Sequence, residues 1–107
     1  MNLEQLQEKI KEFTEKNNLD SKSEIRFIDL VSEIGEVGKE ILKSTDYGKN
    51  PLNKSNELEL ELGDALYSLI VLANKLDINL DEALNLVLNK YKQRLLKGSA
   101  GSEVENK

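Results

Sequence analysis

The chain has 107 residues and a mass of 12.1 kDa, the size of one domain, with 33% charged and 38% hydrophobic residues, a formal net charge of −5 and a pI near 4.8. That acidity argues against nonspecific binding to nucleic acid or to a membrane surface, so a nucleotide would need a cation to bridge it to this protein. Cysteine and histidine are both absent, which excludes disulfides, structural zinc, histidine catalysis and di-iron sites built on Glu-x-x-His; any bound metal must be held by oxygen, favouring magnesium, manganese or calcium.

Four helices are predicted in chain order. The first runs from about Leu3 to Asn17, opened by a capping box of Asn2 with Gln5, with Leu3, Leu6, Ile10 and Phe13 at helical spacing. The second runs from about Lys22 to Lys43, with Ser21 and Glu24 read as its capping box. Its apolar pattern is Ile25, Ile28, Val31, Ile34, Val37, Ile41 and Leu42. A loop from Ser44 to Asn56 holds Gly48 and the only proline, Pro51. The third helix runs from about Glu57 to Lys75, where Leu58, Leu62, Ala65, Leu69, Leu72 and Leu76 space as a bundle seam. It is apolar beyond that seam, at Leu60, Leu66, Tyr67, Ile70 and Val71, which predicts burial on more than one face and a subunit interface. Asn79 with Glu82 caps the fourth helix, about Leu80 to Leu96, and Gly98 ends it.

With no alternating β-branched runs, the expected fold is an all-α four-helix bundle over residues 1–97, assembling into a homo-oligomer, followed by a disordered tail over 98–107. The N-terminus lacks the apolar region of a signal peptide. The longest mainly apolar stretch, Ala65 to Leu76, is too short to cross a bilayer, so a cytoplasmic location is expected.

The chemistry concentrates in two acidic motifs, Glu33-Ile34-Gly35-Glu36 and Glu61-Leu62-Gly63-Asp64. Carboxylates three residues apart share a helix face, so Glu33, Glu36 and Glu40 form one stripe and Glu57, Glu61 and Asp64 another. Either motif alone is an ordinary feature of a solvated helix. Paired on adjacent helices and embedded in apolar segments, they offer four hard oxygen ligands whose mutual repulsion a divalent cation would remove. Gly35 and Gly63 each cost about 1 kcal/mol relative to alanine in a helix interior, which close helix approach or room for a substrate would explain.

The run Leu30-Val31-Ser32-Glu33-Ile34-Gly35-Glu36-Val37, followed by Glu61-Leu62-Gly63-Asp64-Ala65-Leu66 and by Leu72 to Leu84, resembles the MazG-like nucleotide pyrophosphohydrolases of the all-α NTP pyrophosphohydrolase superfamily. The resemblance covers roughly Ile25 to Arg94. It implies magnesium-dependent hydrolysis of a nucleoside triphosphate to the monophosphate and pyrophosphate, with manganese as a substitute metal and nucleotide-pool house-cleaning as the role. It carries the metal ligands onto Glu33, Glu36, Glu61 and Asp64, the general base onto Glu36 or Glu33, and phosphate-binding cations onto Lys90 and Arg94. Relatives are dimers or tetramers, which implies a homodimer or homotetramer here. Many relatives have a further acidic residue where this chain has Ser32, which leaves the four ligands in place and opens the number of metal ions. Tyr67, Tyr47, Phe13 and Phe27 are candidates to stack on a base, Phe13 and Phe27 being expected in the core. Two alternatives remain: hydrolysis of phosphoribosyl-ATP, and a nonenzymatic helical interaction module whose acids are only a solvated face.

Overall fold

Four α-helices, α1 (Leu3–Lys16), α2 (Ser23–Ser44), α3 (Asn56–Lys75) and α4 (Leu80–Leu96), make up most of residues 1–98, the part of the chain described by the computed structural model. No strand occurs among the described residues. The tail expected over 98–107 lies, apart from Gly98, outside them.

Local signals place the helix ends. Asn2 Oδ1 accepts from the Gln5 amide at 2.8 Å and Gln5 Oε1 accepts from the Asn2 amide at 2.8 Å, a complete capping box. Ser55 and Asn79 cap α3 and α4 by accepting from Leu58 and Glu82. Helix α2 departs from expectation: its N-cap position is Lys22, with no side-chain cap, and the Ser21 hydroxyl is buried without a partner. The Glu24 carboxylate instead accepts from its own backbone amide and from the Ser23 hydroxyl, and both bonds hold its pKa below the ordinary value. After α2, Asp46, Tyr47 and Gly48 all take left-handed backbone angles. The chain is pinned there by Tyr47 N–H to Leu42 O at 2.8 Å and by the buried Thr45, whose hydroxyl accepts from the Gly48 amide.

The main packing unit is the antiparallel pair α2–α3. Helix α3 supplies the buried residues Leu58, Ile70, Val71 and Ala73. Helix α2 supplies a half-covered stripe, Ser23, Arg26, Leu30, Glu33, Val37, Glu40 and Ser44, at alternating three- and four-residue spacing. The stripe turned to α3 thus carries charge, while Phe27, Ile28, Val31 and Ile34 of α2 are 53–60% exposed. On α3 the predicted seam likewise turns outward at Leu62, Leu69 and Leu76. A helix apolar on several sides gives periodicity no unique face to select, and the contact made within this chain uses the other one. Phe27 is exposed rather than in the core, and Phe13 is half-exposed, meeting Tyr67 edge-on at 6.4 Å between centroids.

Helix α1 lies on α3, and α4 lies on α1. Buried Gln7 joins all three: its Nε2 donates to Asn74 Oδ1 at 3.0 Å and to Ile78 O at 2.8 Å, and its Oε1 accepts from the Leu80 amide at 2.8 Å. Glu4 adds two exposed bonds to α4, its amide to Asp81 and its carboxylate from Asn79, each 2.8 Å. The four helices are those expected, but α4 extends from α1 rather than closing a bundle over the α2–α3 pair. No described helix is long and apolar enough to cross a membrane.

Candidate metal centre

The α2–α3 seam brings the two acidic motifs together. Glu33 on α2 and Glu61 and Asp64 on α3 each offer a carboxylate oxygen, all within 4.8 Å of one another. Glu33 and Glu61 are half-buried and Asp64 is exposed. Neighbouring turns add Glu36 and Glu40. The Glu61 carboxyl is pushed above its ordinary pKa, first by partial desolvation, then by the charges of Asp64, Glu36, Glu33 and Glu40. Glu61 is therefore the centre of a five-carboxylate field.

The donor set fits a hard divalent cation. Oxygens on opposite sides of a calcium ion stand about 4.6–5.2 Å apart, and those across magnesium about 4.0–4.2 Å, from metal–oxygen distances of about 2.3–2.6 and 2.0–2.1 Å. A spread of at most 4.8 Å is open enough for the larger ion, and the smaller would require the three oxygens to draw closer together. The fourth expected ligand, Glu36, stands at the rim, with one carboxylate oxygen 3.7 Å from Lys39 Nζ.

Two clefts flank the carboxylates. One, of about 400 Å³, is lined by Glu36, Glu40 and Glu61 together with Lys39, Lys43 and Tyr47. The other, of about 480 Å³, lies between α1 and the far end of the seam, where Arg26, Val71 and Lys75 face Lys11, Thr14 and Asn18. In it Lys75 Nζ bonds Asp20 at 3.0 Å, which holds the Asp20 carboxyl below its ordinary pKa.

The sequence profile of the MazG nucleotide pyrophosphohydrolase domain matches residues 22–97, a span holding both motifs, the seam and α4. The chain belongs to the MazG family. It is 38% identical over 68 residues to an uncharacterized protein of Bacillus subtilis (strain 168), YpjD, a match that covers 61% of this chain and 60% of that relative. The chain thus aligns with less than two thirds of the relative's length. No solved structure matches.

Within this MazG domain the geometry separates the expected site residues into two groups. Glu33, Glu61 and Asp64 converge and Glu36 adjoins them. Lys90 and Arg94 lie on exposed turns of α4, which is held by α1, and neither forms a hydrogen bond or ion pair among the described residues; Lys90 Nζ stands 5.1 Å from the Tyr91 ring centroid. The cations bordering the carboxylates are Lys39 and Lys43, which follow Glu36 by three and seven residues on the same helix. That spacing was available in the sequence as a stripe continuous with the motif. Gly35 and Gly63 have nothing within 4 Å of where a Cβ would stand, so close helix approach within the chain does not account for them.

Proposed function

We propose that the protein is a divalent-metal-dependent nucleoside triphosphate pyrophosphohydrolase, converting a (d)NTP and water into the (d)NMP and pyrophosphate, with magnesium the metal and manganese a substitute. The observation that carries this reading is the convergence of Glu33, Glu61 and Asp64 oxygens within 4.8 Å, inside a matched MazG domain.

Glu33, Glu61 and Asp64, with Glu36 at the rim, would hold the metal. Bound there, a divalent ion neutralises phosphate oxygens and acidifies a water molecule. The chain's own residues supply the rest. Glu36 is the better placed of the two α2 carboxylates to act as general base. It stands outside the three-residue cluster, exposed at the rim, with one carboxylate oxygen 3.7 Å from Lys39 Nζ. It takes the proton of a water that attacks in line at the α–β phosphoanhydride, the bridging bond breaks, and pyrophosphate departs. Lys39 and Lys43 offset the charge of the departing group, the role that the resemblance gave to Lys90 and Arg94.

The active form is a homo-oligomer, a dimer at the least. Phe27, Ile28, Val31 and Ile34 form one exposed apolar face of α2, and Leu62, Leu66, Leu69 and Leu76 extend it on α3. A soluble chain rarely leaves such a surface uncovered. A second copy covers it without adding charge to the acidic seam.

Incubation with magnesium and a nucleotide panel that includes phosphoribosyl-ATP, read by pyrophosphate release, tests the activity. Release from a nucleoside triphosphate, lost in Glu61→Gln, is expected. Preference for phosphoribosyl-ATP would assign the alternative reaction, and full activity of Glu61→Gln would refute the ligand set.

A further inference from the structure

The cleft between α1 and the seam is unassigned by the reading above, yet it continues the same stripe. Arg26 precedes Glu33 by seven residues, and Val71 and Lys75 follow Asp64 by seven and eleven, so each shares its helix face with a carboxylate. At about 1.5 Å per residue, Arg26 stands about 10 Å from Glu33 along α2, while Lys39 and Lys43 stand about 9 and 15 Å beyond it on the other side. The carboxylates therefore lie between two clefts. The one beyond them is crowded by Glu36, Glu40 and Glu61, suiting a group whose charge is bridged by metal. The one before them suits a group with its own hydrogen-bonding edge.

Its side chains divide into committed and uncommitted groups. Lys75 is paired with Asp20, Asn74 is locked to Gln7 by two bonds of 3.0 Å, and the Thr14 hydroxyl donates to Lys11 O at 2.9 Å. Arg26, Lys11 and the Asn18 amide have no side-chain partner among the described residues, and Arg26 is only half-exposed. A guanidinium offers five N–H donors and an ammonium three, against the acceptors of Glu15, Asn18 and Asp20, of which Asp20 already has one oxygen on Lys75 and its charge partly offset by Arg26. At about 480 Å³, over an apolar floor of Val71, the cleft has the size of a small-molecule site, about 300–1,000 Å³.

We propose that this cleft is the nucleoside subsite of the substrate and that its excess of donors selects bases with a keto oxygen at purine C6 or pyrimidine C4 (guanine, hypoxanthine, uracil, thymine) over adenine and cytosine, which carry an amino group there. The inference rests on the pyrophosphohydrolase reading. Arg26 is its specificity residue, since a guanidinium fork matches two adjacent acceptors such as guanine O6 and N7. The base and sugar occupy the α1 side, and the polyphosphate runs over the carboxylates toward Lys39 and Lys43.

Calorimetric titration of the full chain with the α,β-imido analogues of GTP, dUTP and ATP, and with inorganic tripolyphosphate, each with magnesium, tests this without turnover. The GTP and dUTP analogues should bind about tenfold more tightly than the ATP analogue, within the range of one specific base contact. Arg26→Gln should remove that difference and leave tripolyphosphate binding unchanged. Lys11→Gln, an exposed substitution on α1, should weaken the keto analogues severalfold and keeps the test open should Arg26→Gln misfold. Equal loss of tripolyphosphate affinity in Arg26→Gln would make Arg26 a phosphate ligand and overturn the proposal. So would tighter binding of ATP, or loss of base preference in Tyr47→Ala but not in Arg26→Gln. Selective binding of the analogues without pyrophosphate release from any nucleotide would refute the hydrolase reading and leave the subsite standing.

Discussion

Replacing Gln7 by alanine should loosen the molecule where α1, α3 and α4 meet. The side chain is 7% exposed and makes three hydrogen bonds of 2.8–3.0 Å, to Asn74 Oδ1, Ile78 O and the Leu80 amide. Each is worth about 1 kcal/mol net, and a part-buried group left unsatisfied costs about 1–3 kcal/mol. The Leu80 amide stands in the first turn of α4 and has no other partner, whereas Ile78 is 44% exposed, which lets water replace Gln7 at its carbonyl. The bond from Asn74 Nδ2 to the Gln7 backbone carbonyl survives the change. The sum is about 2–4 kcal/mol, and a domain of this size loses about 4–8 °C of melting temperature per kcal/mol. Urea titration followed by circular dichroism, at fixed protein concentration so that association does not shift the midpoint, measures it. Asn74→Ala and the double variant complete a cycle whose coupling should exceed about 0.5 kcal/mol. Stability of Gln7→Ala within about 0.5 kcal/mol of the parent would show that the network does not hold α1 in place. Because α1 walls the nucleoside cleft and the carboxylates sit on α2 and α3, the same change should weaken base preference more than magnesium affinity.

Two further outcomes follow from the acidic seam. Gly63→Ala should stabilise the protein by about 0.5–1 kcal/mol in urea titration, because the added Cβ meets open space and alanine is the better helix former; destabilisation would mean that a second copy or another group occupies that space. The raised pKa of Glu61 means that the folded state holds a proton which the unfolded state has already released. In the metal-free protein Glu61's contribution to stability is therefore full below the ordinary glutamate pKa and lost as pH rises through its raised value, the reverse of the trend from Asp20 and Glu24, whose pKa values are lowered. Glu61→Gln should flatten that slope in thermal melts across pH, and magnesium should raise the melting temperature of the parent but not of this variant. Identical pH slopes in the two proteins would refute the clustering of charge around Glu61.

The acidic motifs were readable because three-residue spacing puts carboxylates on one helix face whatever surrounds them. Convergence of Glu33 with Glu61 and Asp64 followed once both helices carried such a stripe. Ser21 misled because capping depends on where the first helical residue falls, and Lys22 takes the extended cap position instead. Arg26 escaped notice because a lone arginine in an apolar segment has no spacing signal of its own. Its role emerges only when α1 closes the far side of the cleft.

What the sequence determines by itself is local: the four helices, the caps at Asn2 and Asn79, whose hydrogen bonds close within one turn, and the acidic stripes and the MazG resemblance, which spacing along the chain carries. Tertiary structure decided which face of α3 is buried, where α1 and α4 rest, and which cations stand near the carboxylates. Helix α3 is apolar on several sides and α1 is fastened by a polar residue, Gln7, so hydrophobic periodicity carries no information on either choice. The seating of α1 and α4 rests on contacts 67–77 residues apart in the chain, such as Gln7 with Asn74 and Glu4 with Asp81, and only folding brings these groups within reach of one another.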